Sequence, residues 1–175
     1  GIKMTDIRVD IYGEIHTTAD RNRVEWAIID SHRKKPYDFL LCEELGPYEH
    51  HTAKAQDKAL KEKMYSIGPM GLELAKKLGI PAIGIDDWSD ATYAKDIKDK
   101  KGMAVNFSRS FYIRETKMVA KIKKYMAKGR CAVMLGDSHL RTTKTKELGD
   151  ASLIWETFKD NPEVKFHRSP KREID

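Results

Sequence analysis

Apolar residues fall in short runs along the chain, and amphipathic stretches separate them. Residues 7–12 (IRVDIY) read as a strand that stops at Gly13. From residue 20 to about 33, Val24, Trp26, Ala27, Ile28 and Ile29 form a broad apolar stripe, which predicts a helix. Residues 38–45 (DFLLCEEL) give a second strand, stopped by Gly46 and Pro47. A lysine-rich helix is predicted over 52–64 with Thr52 as its cap. Another is predicted over 70–78, with Gly79 placed to close it and Pro81 just beyond. Residues 81–85 (PAIGI) form a third strand. Residues 90–99 read as a short helix and 100–106 as a polar connection. The longest helical pattern runs over 107–127 and ends at Gly129. A fourth strand, 131–135 (CAVML), stops at Gly136. A weaker helix over 151–158 and a weaker strand over 164–166 follow, and 169–175 reads as a frayed tail.

Strands that alternate with helices, and are themselves almost wholly apolar, predict an α/β fold. Its central sheet should be mainly parallel, with helices on both faces. The chain has 175 residues, which suits a single domain over 1–175. Residues 1–4 read as a cloning remnant or the trace of upstream removal, since Met4 is not first. A hydrophobic fraction of 40% under a charged fraction of 34% permits a sizeable core and excludes a disordered or collagen-like chain. No run approaches the roughly 18 apolar residues of a membrane helix, and no secretion leader is evident. Cys42 and Cys131 each sit inside an apolar run, so buried reduced thiols in a cytoplasmic protein are expected. Lys plus Arg total 33 against 27 Asp plus Glu, a net charge of +6. The lysines are spread among acids, as with Lys121, Lys123, Lys124 and Lys128 on one helix. That is the pattern of a solvated face, not of a nucleic-acid interface. The balance leans only slightly towards an anionic substrate.

In an open parallel sheet, ligands bind beyond the carboxyl ends of the strands. Ionisable residues collect at those positions here. The first strand leads into Gly13, Glu14 and His16, and the second into Glu43 and Glu44. The third leads into Asp86 and Asp87, and the fourth into Gly136 and His139. A carboxylate at the end of LLCEEL is costly to bury unless a proton, an arginine or a metal meets it. Arg109 and Arg114, early in the longest helix, are the arginines placed to do so or to hold substrate.

Two chemistries suit this set. Glu14, His16, Glu44 and His139 match the ligands of a divalent metal (Mn, Co or Zn) that activates water. Equally, His16 with Glu14 forms a metal-free general base while His139 stabilises an oxyanion. Two carboxylates and two histidines exceed what one general base requires, which favours the metal. No nucleophile elbow is present, because Ser138 lies in G-D-S-H.

The order of motifs resembles that of the superfamily containing the erythromycin esterases, ChaN-like proteins, TraB and the TIKI proteases. The motifs are G-E-x-H at Gly13, Glu14 and His16, then Glu43 or Glu44. R-E-x-x-M-x-A follows at Arg114, Glu115, Met118 and Ala120, and G-x-x-H at Gly136 and His139. The resemblance spans residues 7 to 141. It implies an α/β fold with the motif residues gathered at one end of the sheet. It also implies hydrolytic activity on esters or, with a metal, peptides; some ChaN-like members are instead associated with iron or haem. The expected function is therefore a compact hydrolase acting on an ester, peptide or phosphorylated small molecule. Glu14, His16, Glu44, Arg114 and His139 would be catalytic, and Glu43, Asp86, Asp87 and Arg109 would contact substrate. One alternative is a haem-binding protein using Tyr12, Tyr48 or Tyr112 with the histidines as axial ligands. A second alternative is a small interaction or inhibitor protein.

Overall fold

A computed structural model describes residues 6–87 and 106–175. The predicted helix over 90–99 lies outside the described residues. Among them, six strands form one sheet: β1 (Val9–Glu14), β2 (Phe39–Cys42), β3 (Glu49–His50), β4 (Ala82–Gly84), β5 (Cys131–Gly136) and β6 (Val164–His167). Their order is β3-β4-β2-β5-β1-β6, parallel throughout except for the β3–β4 pair. β5 thus inserts between β1 and β2, with Ile11 and Leu41 both in register with Val133.

Alternate strand residues feed two apolar layers. Ile11, Leu41, Ile83, Val133 and Leu135 face α4 (Phe107–Met126) and α5 (Leu153–Phe158) through Met118, Ile122, Ile154 and Phe158. Tyr12, Leu40, Cys42, Ala82, Ala132 and Met134 face α1 (Thr18–Lys34), α2 (Ala53–Glu62) and α3 (Met70–Leu78) through Val24, Ile28, Ala59 and Leu72. The predicted single-domain α/β sheet, covered on both faces, is what forms. Both cysteines are buried free thiols. No helix among the described residues is long and apolar enough to cross a membrane.

Polar side chains set the helix starts. Thr17 Oγ1 accepts from Asp20 N, Thr52 Oγ1 from Ala55 N, and Ser152 Oγ from the N–H groups of Ile154 and Trp155. Gly79, at φ 71°, closes α3 as the sequence predicted.

Three expectations need correction. The second strand ends at Cys42, because Glu43 and Glu44 would otherwise enter apolar layers. A 3₁₀ turn (Glu43–Leu45) brings both carboxylates out at the sheet edge instead. The two-residue β3 was not foreseen. Residues 169–175 are not frayed: Ser169 is fully buried, and the Asp175 carbonyl accepts from Thr142 N and Thr142 Oγ1 at 2.7 and 2.9 Å.

Candidate active site

The strand-end residues converge. A side-chain carbon placed on Gly136 would lie 3.3 Å from Glu43 Oε1, 3.6 Å from His16 Nε2 and 3.8 Å from His139 Cδ2. Three elements therefore meet over the bare Cα of Gly136. Gly13 is held more tightly, since a side-chain carbon there would lie 2.3 Å from Asp137 Oδ1.

The site has a buried half and an open half. In the buried half, Glu43 Oε1 accepts from Gly136 N at 2.7 Å and Oε2 from Arg114 at 2.8 Å. Arg114 also clamps Asp86 through Nε and a terminal nitrogen, at 2.9 and 2.7 Å. His139, whose side chain is 2% exposed, has Nε2 3.3 Å from Glu43 and Nδ1 2.8 Å from Glu115. Its ring stacks on Phe111 with centroids 4.4 Å apart. Glu115 in turn accepts from Arg141 at 2.7 Å and from Leu153 N at 3.2 Å. The result is an alternating chain of charge: Asp86, Arg114, Glu43, His139, Glu115, Arg141. Burial alone would raise the Glu43 pKa, but His139, Arg114 and the Gly136 N–H outweigh it and hold the group at about 2. Burial alone would lower His139; the Glu43 charge and the bonds to Glu115 and Glu43 instead push it up to about 9. With a carboxylate at each ring nitrogen, His139 is placed to carry the imidazolium form. For Asp86, burial is the largest influence and raises the carboxyl above its ordinary value, against Arg114.

The open half is built from Glu14, His16, Arg21 and Glu44. His16 is 73% exposed, and its Nδ1 lies 3.3 Å from Glu14 Oε1, which turns Nε2 towards Gly136. The bond to Glu14 is the main reason its pKa is raised. Glu44 accepts from Arg21 at 2.6 Å and from the Gly71 N–H. Its pKa is raised by burial, assisted by nearby Glu14 and opposed by Gly71 N and Arg21. Glu14 Oε2 and Arg21 Nε approach to 3.3 Å, yet both buried atoms complete no hydrogen bond. They border a cavity of about 30 Å³ shared with His16, Glu43, Glu44, Ile67 and Met70, room enough for an ordered water. A second cleft of about 260 Å³ opens from Glu14, His16 and Gly136 towards Ser138 and residues 171–174.

Most sequence-predicted residues are thus brought together: Glu14, His16, Glu43, Glu44, Asp86, Arg114 and His139. Arg114 meets Glu43 rather than Glu44, which is served by Arg21. Asp86 is held by Arg114 and is not offered to substrate. Asp87 is half-buried and lines neither cavity. Arg109 lies elsewhere, with its guanidinium 5.6 Å over the Tyr112 ring, beside a separate cavity bordered by Glu115 and Arg141. Tyr12 is buried and stacked on His167 at 4.4 Å, so it presents no haem ligand to the cleft.

The donor set does not fit a metal as arranged. Both His139 nitrogens face carboxylates, and Glu44 is spent on Arg21 and Gly71. Among the described residues, no three His, Cys, Asp or Glu side chains come together as a ligand group. Sequence reasoning missed Arg21, Arg141, residues 171–174 and the role of Glu115. Only Glu115 had a signal, its place beside Arg114 in the helix motif.

No protein-family model matches the sequence, and no curated protein matches it. Among solved structures, the fold is similar to RRSP, a MARTX toxin effector domain from Vibrio vulnificus CMCP6. The TM-score is 0.58 at 16% identity, covering 91% of this chain and 32% of that one. A structure described as bacterial protein toxins aligns with a TM-score of 0.53 at 15% identity, over 91% of this chain and 33% of the other. The chain therefore spans about a third of the length of these structures. Both likenesses concern the fold, and both relatives are toxins, not esterases or ChaN-like proteins by description.

Proposed function

We propose that the chain is a metal-independent hydrolase domain related to the erythromycin esterase, ChaN-like, TraB and TIKI superfamily. His16 is its general base. The observation that carries this reading is the meeting of His16 Nε2 and Glu43 Oε1 over the bare Cα of Gly136. A water held there gives one proton to His16 Nε2 as its oxygen attacks a carbonyl carbon; when the tetrahedral intermediate collapses, the scissile bond breaks and the His16 imidazolium returns that proton to the leaving oxygen or nitrogen. Glu14 fixes the His16 tautomer and stabilises the imidazolium that forms. Glu43, kept anionic by Arg114 and His139, orients the water from the other side. Arg21 borders the small cavity with an Nε that completes no hydrogen bond, and is the donor for the developing oxyanion. His139, enclosed between two carboxylates, supplies fixed positive charge and no direct contact. The free, buried thiols Cys42 and Cys131 support our reading of a reducing compartment such as the cytoplasm.

Gly136→Ala tests the reading. Gly136 has φ −60°, so alanine is conformationally permitted, but its methyl would fill the space assigned to water. Screened on fluorogenic esters and quenched peptides in excess EDTA, the wild-type protein should turn over a substrate and Gly136→Ala should not, with its melting temperature little changed. Turnover that needs added metal, or survives intact in Gly136→Ala, would overturn this mechanism.

A further inference from the structure

Residues 168–175 carry almost no apolar burial and are held to the body by polar contacts. Arg168 is the hub. It clamps Asp137 through Nε and a terminal nitrogen at 3.2 and 2.8 Å, and Ser169 N adds a bond to the same carboxylate at 2.8 Å. Its other terminal nitrogen donates to the Asp175 carbonyl at 2.5 Å, and the one on Asp137 also donates to the Ile174 carbonyl at 2.7 Å. One arginine thus grips both ends of the segment and ties it to Asp137, the residue after Gly136. The loop between those ends supplies the far wall of the 260 Å³ cleft, through Lys171, Arg172, Glu173 and Ile174, facing Glu14 and His16.

Charge on the two walls is unequal. Glu14 is matched by His16 and Arg21, and Asp137 by Arg168. The loop adds two exposed cations and one acid, Glu173; Arg172 also lies 3.9 Å from Asp175. We propose that this strap is the substrate-selecting wall of the cleft, with Lys171 and Arg172 favouring substrates that carry an anionic group beside the scissile carbonyl. Arg168 is its positioning residue. The proposal deepens the hydrolase reading and rests on it for the scissile carbonyl, while anion selection stands on the strap alone.

The test uses two matched esters, 4-methylumbelliferyl hemisuccinate (anionic) and 4-methylumbelliferyl butyrate (neutral). It also uses two ligands that cannot be cleaved there, glutarate and glutaramide, titrated into His16→Ala protein and followed by backbone amide shifts. The anionic member of each pair should be preferred about three- to tenfold, the range two rim ion pairs supply. Lys171→Glu with Arg172→Glu, both at exposed positions, should abolish or invert that preference. Arg168→Gln should raise KM for the hemisuccinate with little change in kcat. Glutarate preference without turnover of either ester or of any ester or peptide in the wider screen would uphold the strap and sink the hydrolase reading. Equal turnover of both esters, equal binding of both ligands, or a preference surviving the double charge reversal would each overturn the strap proposal.

Discussion

Two acid–histidine pairs lie on either side of Gly136, and they are opposite in character. His139 sits between Glu43 and Glu115 at 2% exposure, inside a chain of six alternating charges. His16 meets one carboxylate, Glu14, and keeps 73% of its side chain in contact with solvent. Burial multiplies each charge contact in the first pair, so protonation there is fixed across the neutral range. Solvent leaves the second pair free to exchange a proton, which a general base requires. The same residue types thus divide between holding charge and moving it, and environment alone decides which does which.

Exchanging the two roles experimentally should give the largest contrast. His16→Ala should lower turnover by about 10²–10⁴-fold, the usual contribution of a general base, while thermal unfolding stays where it was. A large loss of stability would place His16 among the structural groups. Glu115→Gln should do the reverse. It leaves His139 and Arg141 as buried cations with one neutral partner, at a cost of about 3–5 kcal/mol by denaturant unfolding. A cost under about 1 kcal/mol would mean that water reaches Glu115 and that the chain of charges is not closed.

The contrast also explains what the sequence disclosed. Strand ends in a parallel sheet share one edge, so Glu14, Glu43, Glu44, Asp86 and His139 could be grouped from their positions after apolar runs. The division of labour between Glu43 and Glu44 was hidden, because a 3₁₀ turn separates adjacent residues onto Arg114 and Arg21. Arg21 was one of several arginines on α1, and periodicity does not mark which of them turns inward. Glu115 reads as an ordinary helical acid until His139 arrives 24 residues later. The strap had the composition of a loose end. Its order comes from Arg168 meeting Asp137 across 31 residues, a long-range polar contact that local pattern cannot register. Hydrophobic patterning discloses what packs, whereas polar pairing at a distance decides the site.

Stability should vary with pH in a way that belongs to the buried pair. His139 is raised to about 9 in the folded protein from its ordinary 6.5. Its contribution is therefore complete below 6.5 and is lost as pH rises through about 9. Glu43 is lowered to about 2 from 4.5, so its contribution is complete above 4.5 and is lost as pH falls towards 2. Denaturant unfolding should show a plateau between these limits and decline on both sides, with the alkaline decline reduced in His139→Gln. No decline attributable to His139 between 6.5 and 9, with stability instead rising as pH approaches 6.5 from below, would show His139 neutral in the folded state.

The smallest expected effect falls on the open pair and bears directly on which group takes the proton. Catalysis by His16 needs the neutral ring, so kcat/KM should rise with pH along an acid limb set by its pKa. The bond to Glu14 holds that pKa above 6.5, and Glu14→Gln removes the charge while keeping the shape. The limb should move downward, because the carboxylate that raises the His16 pKa is gone. At pH values below the original limb the variant then has more neutral His16 and loses less activity than at high pH. There the plateau falls, because the imidazolium formed in the transition state no longer faces a carboxylate. The crossing of the two effects distinguishes a base from a bystander: a residue acting only through structure would lower the curve evenly. If the limb stays in place in Glu14→Gln, the titrating base is not His16. Glu43, with its pKa near 2, would then have to accept the proton from water at a large disadvantage in driving force.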